Sequence, residues 1–89
     1  MTASPQQLPD RPVHSHVEQI ERWLGDQPAR EFEGDKLRAE PFYVRADEEF
    51  GVALVAVGGT RPDGTVLELP FESWWFSFEH GRISRAWSL

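Results

Sequence analysis

Between residues 15 and 25 the apolar positions recur at helical spacing. Val17, Ile20, Trp23 and Leu24 fall on one stripe, and polar residues fill most of the remaining turns. Ser15, followed three residues later by Glu18, reads as a capping box, and Gly25 stands where a helix ends in a left-handed residue. The pattern predicts a short helix over 16–24. Nine or ten residues cannot sustain a helix alone, so the stripe must pack on something else.

From residue 36 onward the period shortens. Leu37 and Ala39 alternate with Lys36, Arg38 and Glu40, and Pro41 then interrupts, with the apolar parity passing to Phe42 and Val44. A proline has no N–H for a ladder, so strand 36–45 is expected at an edge or bulged at Pro41. Residues 46–49 read as an acidic turn. Residues 50–58, Phe-Gly-Val-Ala-Leu-Val-Ala-Val-Gly, form an unbroken apolar run. The flanking glycines and the valines favour a strand, and the absence of alternation predicts burial on both faces. Arg61-Pro62-Asp63-Gly64 is a turn in which Pro presets φ and Gly supplies a positive φ. Residues 65–79 read as one long strand, but Leu67, Leu69 and Phe71 share one parity and Trp74, Phe76 and Phe78 the other. A bend or bulge between Pro70 and Ser73 reconciles them. His80-Gly81 predicts a tight hairpin. Residues 82–88 follow as the last strand, with Ile83 and Trp87 on one face and Ser84, Ala86 and Ser88 on the other.

Residues 26–35 read as a polar connection. Residues 1–13, with Pro5, Pro9 and Pro12 and no period, read as a flexible tail. The sum is one α+β domain over 14–89: a curved four-stranded antiparallel sheet with one short helix packed on it.

Composition turns this outline into a question of coverage. The chain has 89 residues, with four Trp and six Phe, most of them in the second half. Trp74 and Trp75 are neighbours in a strand and must point to opposite faces. One short helix covers part of one face only. The other face is expected to meet a second copy, giving a homodimer packed sheet on sheet with Val55 and Trp75 at its interface.

The net charge of −6 argues against non-specific nucleic-acid binding, which needs clustered Lys and Arg. No apolar run approaches the roughly 20 residues of a membrane span. The first residues lack the basic and apolar regions of a secretion signal. The chain contains no cysteine, which excludes disulfides and thiolate metal sites. A cytoplasmic protein without a cofactor is the expectation.

Candidate chemistry is sparse. Glu68 and Glu72 lie in the long strand near Glu40 and Tyr43 of the first. A pocket carboxylate with a raised pKa would serve as a general base, whereas solvated strand positions would do nothing. Tyr43 would donate a hydrogen bond to a ligand carbonyl, or sit satisfied in a core or interface. His14 and His16 form an H-x-H pair without a third ligand, so no metal site is expected. Trp23, Tyr43, Trp74, Phe76 and Trp87 are the residues that would line an apolar pocket for a planar ligand, the competing reading being the core of a small protein.

Three segments carry a family resemblance: Gly59-Thr60-Arg61-Pro62-Asp63-Gly64, then Val66-Leu67-Glu68-Leu69-Pro70, then Phe76-Ser77-Phe78-Glu79-His80-Gly81-Arg82-Ile83. They resemble the C-terminal half of SnoaL-like polyketide cyclase domains, members of the NTF2-like superfamily alongside ketosteroid isomerase and limonene epoxide hydrolase. The resemblance covers residues 14–89, and the helix over 16–24 is similar to the third helix of that fold. It implies an NTF2-like, cystatin-like cone, here shortened by its first two helices, with a pocket at the wide end. It also implies binding of small hydrophobic molecules and dimers formed through the sheet. Where many catalytic members carry an acidic residue, two positions before the first Phe of F-x-F, this chain has Trp74, which cannot donate or accept a proton in that role. The resemblance therefore implies a dimeric domain that binds a small hydrophobic molecule without strong catalysis. A cyclase or isomerase using Tyr43 and a strand Glu is one alternative. A protein–protein interaction module is the other.

Overall fold

The computed structural model describes residues 13–89. The helix α1, His14–Gly25, is followed by five strands: β1 Arg30–Phe32, β2 Asp35–Ala46, β3 Phe50–Thr60, β4 Val66–Glu79 and β5 Arg82–Ser88. Every neighbouring pair is antiparallel, and the strands lie in chain order. The domain is α+β with a curled antiparallel sheet. The tail expected over 1–13 lies, apart from Val13, outside the described residues.

The expected four strands are five. Where a polar connection was expected over 26–35, Arg30 pairs with Leu37 and Phe32 with Asp35 in a short hairpin. Its two turn residues, Glu33 and Gly34, both hold positive φ, 53° and 87°. That geometry matches the right-handed twist of the flanking strands. The His80-Gly81 hairpin uses the same device, with φ of 54° and 78°.

The start of α1 also differs from expectation. Val13 occupies the N-cap position, no side chain caps the helix, and Ser15 lies inside the first turn. Val13 N–H instead bonds the carbonyl of Ala46 at 3.0 Å, so the helix begins where the chain leaves the end of β2. At the other end Gly25 closes the helix and Asp26 caps it in a right-handed conformation.

Two bulges sit side by side on either flank of β3. On β2, Phe42 is the extra residue between the pairs Pro41–Val55 and Tyr43–Leu54. On β4, Pro70 and Phe71 oppose Ala56 alone, between the pairs Val55–Glu72 and Val57–Leu69. Both prolines thus fall where the ladder is already broken, and the bulges bend the sheet along this line. They also reset parity. Leu67 and Leu69 on one side, and Trp74, Phe76 and Phe78 on the other, all turn to the face that carries α1.

That inner face is the core. Ile20 packs on Ala46, Ala53, Phe76 and Phe78, with Val17, Trp23, Leu24 and Ile83 around them. Beyond the helix, Leu37, Val55 and Val57 form a second cluster against Leu24, Leu67, Leu69 and Trp74. The apolar run of β3 alternates after all. Gly51, Ala53, Val55 and Val57 are buried on the inner face, while Phe50, Val52, Leu54 and Ala56 face the other way and are half-buried or exposed. Within the described chain the expected burial of both faces is therefore not met. Side-chain direction is a matter of strand parity, and only one face has a layer over it.

Candidate functional site

The face turned away from α1 is built from register alone. Arg45, Val52, Trp75 and Trp87 form one row across four strands, and Tyr43, Leu54 and Ser73 form the next. Phe50, Ser77 and Arg85 lie beyond the first row; Glu40 with Ala56, and Arg38, Gly58 and Glu68, lie beyond the second. Phe42 and Phe71, the bulge residues, meet edge to face with centroids 5.9 Å apart. Together with Tyr43, Phe50, Trp75 and Trp87 they are 36 to 58% exposed. The Arg85 guanidinium lies 5.4 Å from the Trp87 ring, a cation–π contact. At the far end an open groove of about 460 Å³ runs between Phe42, Arg38, Val66 and Glu68 over Gly58. A Cβ at Gly58 would stand 2.6 Å from the Leu67 carbonyl oxygen, so the groove floor is bare backbone by steric necessity.

The aromatic residues expected to line one pocket are divided by the sheet. Trp23, Trp74 and Phe76 do come together on the inner face. Trp23 meets Trp74 at 5.0 Å and Phe76 at 5.3 Å between centroids, both edge to face. These are packing contacts of a filled core, with Phe76 fully buried. Tyr43 and Trp87 belong to the opposite face. A small cleft of about 90 Å³ remains beside the helix end, between Glu21, Leu24, Arg30 and Pro41. Val55 and Trp75, expected at one interface, are likewise separated. Val55 is 1% exposed within the core, and Trp75 stands on the open face.

The acid–base candidates do not converge either. Glu68 pairs with Gly58 and Tyr43 with Leu54, both on the open face, while Glu72 pairs with Val55 on the inner one. The β4 bulge between the two glutamates turns them to opposite sides. Glu72 is engaged by Arg30, whose Nε–H donates to Oε2 at 3.0 Å and Nη2–H to Oε1 at 2.7 Å. The Trp74 indole N–H also donates to Oε1 at 3.0 Å. These hydrogen bonds, Arg30's foremost, hold the carboxyl below its ordinary value against the opposing effect of burial. A general base working near neutral pH needs the reverse.

His16 is the functional-type residue whose place the residue pattern left unread. It is the one buried polar side chain among the described residues, stacked on Phe78 with centroids 4.0 Å apart and planes 5° from parallel. Its Nδ1–H donates to the Asp47 carbonyl at 2.9 Å; a carbonyl can only accept, which assigns the tautomer. The signal was present: position 16 lies on the same helical stripe as Ile20, Trp23 and Leu24. His14 is exposed, and no described set of three His, Cys, Asp or Glu residues is placed to hold a metal ion. No described helix is long and apolar enough to cross a membrane. Compared with known proteins, the chain matches no family model, no curated protein and no solved structure.

Proposed function

We propose that this chain is a non-catalytic interaction module that docks an apolar protein surface on the open face of its sheet. The observation that carries the proposal is the gathering of Phe42, Tyr43, Phe50, Phe71, Trp75 and Trp87, all substantially exposed, opposite the face that α1 covers. Contiguous apolar patches of this kind mark interaction sites. Aromatic residues and Arg are the types enriched at interface centres, and Arg45 and Arg85 stand in and beside the aromatic row. The separation of Tyr43, Glu68 and Glu72 supports a role without acid–base chemistry.

The sheet edges are poorer docking surfaces than the face. Gln19 closes the start of β5: its Nε2–H donates to the Gly81 carbonyl at 2.6 Å, and its Oε1 accepts from Ile83 N–H at 3.2 Å. The β2 edge carries Pro41 and a bulge, with β1 over one end and Val13 at the other. Such features blunt edge pairing.

A second reading is favoured by the groove over Gly58. A small hydrophobic molecule would lie between Phe42 and Val66, and the SnoaL-like relation belongs with this reading. A helix packed on one face of a curled antiparallel sheet supports that relation, and an NTF2-like cone is its extension.

The double substitution Phe71→Ser/Trp75→Ser tests the main reading. In dilute solution, where no partner covers the face, the variant is expected to keep its far-UV circular dichroism and melting temperature while losing most of the binding of the hydrophobic dye ANS seen with the wild type. Equal dye binding by the two proteins would sink it. Quenching of Trp fluorescence by a polycyclic hydrocarbon, abolished by Phe42→Ala but not by Trp75→Ser, would favour the groove instead.

A further inference from the structure

We infer that the partner of the open face is a second copy of this chain, seated antiparallel so that the partner's Phe50 fills the groove over Gly58. The inference rests on the reading of this face as a docking surface and adds its occupant and register.

The central strand carries the argument. Its outward residues are Phe50, Val52, Leu54, Ala56 and Gly58, with the largest at one end of β3 and the smallest at the other. A two-fold axis lying between two facing sheets, perpendicular to the strands and passing at Leu54, carries each row onto its mirror along the strand. Phe50 then meets the partner's Gly58, Val52 meets the partner's Ala56, and Leu54 meets its own counterpart. Large side chains oppose small ones at both ends, which is how facing layers interdigitate. The groove is one that the chain cannot fill for itself, since any side chain at Gly58 would strike the Leu67 carbonyl. Phe50, 57% exposed at the other end of the face, is the projection that matches it.

Charge agrees with size. Arg45 lies in the Val52 row and Glu40 in the Ala56 row, both on β2. The same rotation places Arg45 over the partner's Glu40, twice in the dimer by symmetry. Within one chain Glu40 has only the exposed Arg38 for a counter-charge among the described residues. A two-fold axis running along the strands fails on the same residues: it stacks Phe50 on Phe50 and leaves two empty grooves facing each other. Rows 50 to 58 extend about 26 Å, and the three strands that run through them, β2 to β4, about 14 Å, from standard strand spacings. That is on the order of 370 Å² in projection. Side-chain relief raises the accessible area toward the ~800 Å² per partner of a stable interface.

The chain has no cysteine, so single-cysteine variants report the register cleanly. Wild-type protein is expected to sediment as a dimer at tens of micromolar. Leu54→Cys should cross-link to itself with a short bismaleimide, and Val52→Cys should cross-link when mixed with Ala56→Cys but not alone. Arg45→Glu and Glu40→Arg should each raise the dimer dissociation constant about tenfold, and combining them should restore it, because the pair reforms with its signs exchanged. A monomer at ~100 µM, well above the dissociation constants of stable dimers, or cross-linking of Val52→Cys alone, overturns the inference. If the wild type is monomeric while Phe71→Ser/Trp75→Ser still loses ANS binding, the face docks something other than its own copy. If dye binding is also unchanged, the docking surface itself is refuted.

Discussion

The two faces of this sheet are built from the same strands, and both are rich in apolar side chains, yet only one is covered. The difference lies in where the small residues are. Under α1 the sheet presents Gly51, Ala53 and Ala46, and a Cβ at Gly51 would stand 2.6 Å from Ile20 Cδ1. Small residues at the centre let the helix sink between Phe76, Phe78 and Trp74. On the reverse, the same level of the sheet carries Val52, Trp75 and Trp87. These project too far for a helix to settle among them, but their relief suits another sheet. The polar groups tell the same story. Inner-face His16, Glu72 and the Trp74 indole all find partners, and no described buried side-chain nitrogen or oxygen lacks one.

The largest test of this contrast is a matched pair of truncations. Phe76→Ala, in the closed face, should cost about 3–5 kcal/mol, enough to consume most of the stability of so small a domain. Phe71→Ala, on the open face, should change the stability of the dilute chain by no more than about 0.5 kcal/mol. Urea denaturation of both variants at low micromolar concentration measures the difference, and equal losses would break the comparison.

The glycines sharpen it next. Gly58→Ala drives a methyl into the Leu67 carbonyl oxygen, which is backbone and cannot yield without moving the β3–β4 register. Gly51→Ala meets the end of the Ile20 side chain, which can rotate aside. Costs of about 3 and about 1 kcal/mol are expected. Thermal melts of the two variants should rank them in that order.

A smaller effect comes from the ion pair beyond the helix end. Arg30 reaches from β1 over the inner face to Glu72 on β4 with about three-tenths or less of each side chain exposed. Glu72→Gln should cost about 1–2 kcal/mol at neutral pH, the usual worth of a partly buried charge-assisted pair. The pH dependence follows from the lowered carboxyl. Its folded-state pKa lies below the unfolded value of ~4.3, so the unfolded chain takes up the proton first as pH falls. The stabilisation is fully present above the unfolded value and is lost as pH drops through the folded one. Wild type and Glu72→Gln should therefore converge in stability in acid. A gap that persists once the carboxyl is protonated in both the folded and the unfolded chain would show that the pair is not its source.

The last test is at His16. His16→Leu keeps an apolar body against Phe78 but leaves the Asp47 carbonyl without its donor, a loss of about 1 kcal/mol. Hydrogen exchange should rise locally at the Asp47–Phe50 turn, where Asp47 Oδ1 also accepts from the N–H groups of Glu49 and Phe50.

Much of the sheet was legible because its signals are local. Pro41 and the parity change after it foretold the β2 bulge, and the clash of parities around Pro70 foretold the one on β4. Asp63-Gly64 and His80-Gly81 marked their turns through the φ values they permit. The β1 hairpin was not legible, because Glu33-Gly34 is a weak turn signal and three residues show no period. The capping box at Ser15 failed because the Ala46 carbonyl, bonded by Val13 N–H, draws the chain into the helix two residues earlier than side chains alone would. The candidate site was legible only as a list of aromatic residues. Their grouping was wrong wherever it ignored the sheet between them, as with Trp23 and Trp87, or Val55 and Trp75.

By itself, then, the sequence determined the helix and the four longer strands, where β2 and β4 bulge, and that apolar surface exceeds what one helix can cover. Those properties depend on a few consecutive residues and on composition. Only the tertiary structure decided which side of each strand is inside, because parity assigns residues to two faces without naming either as the core. The choice was made where Ile20 settled over Gly51. That contact left Phe50, Trp75 and Trp87 on the outside, and with them the surface through which this protein is proposed to act.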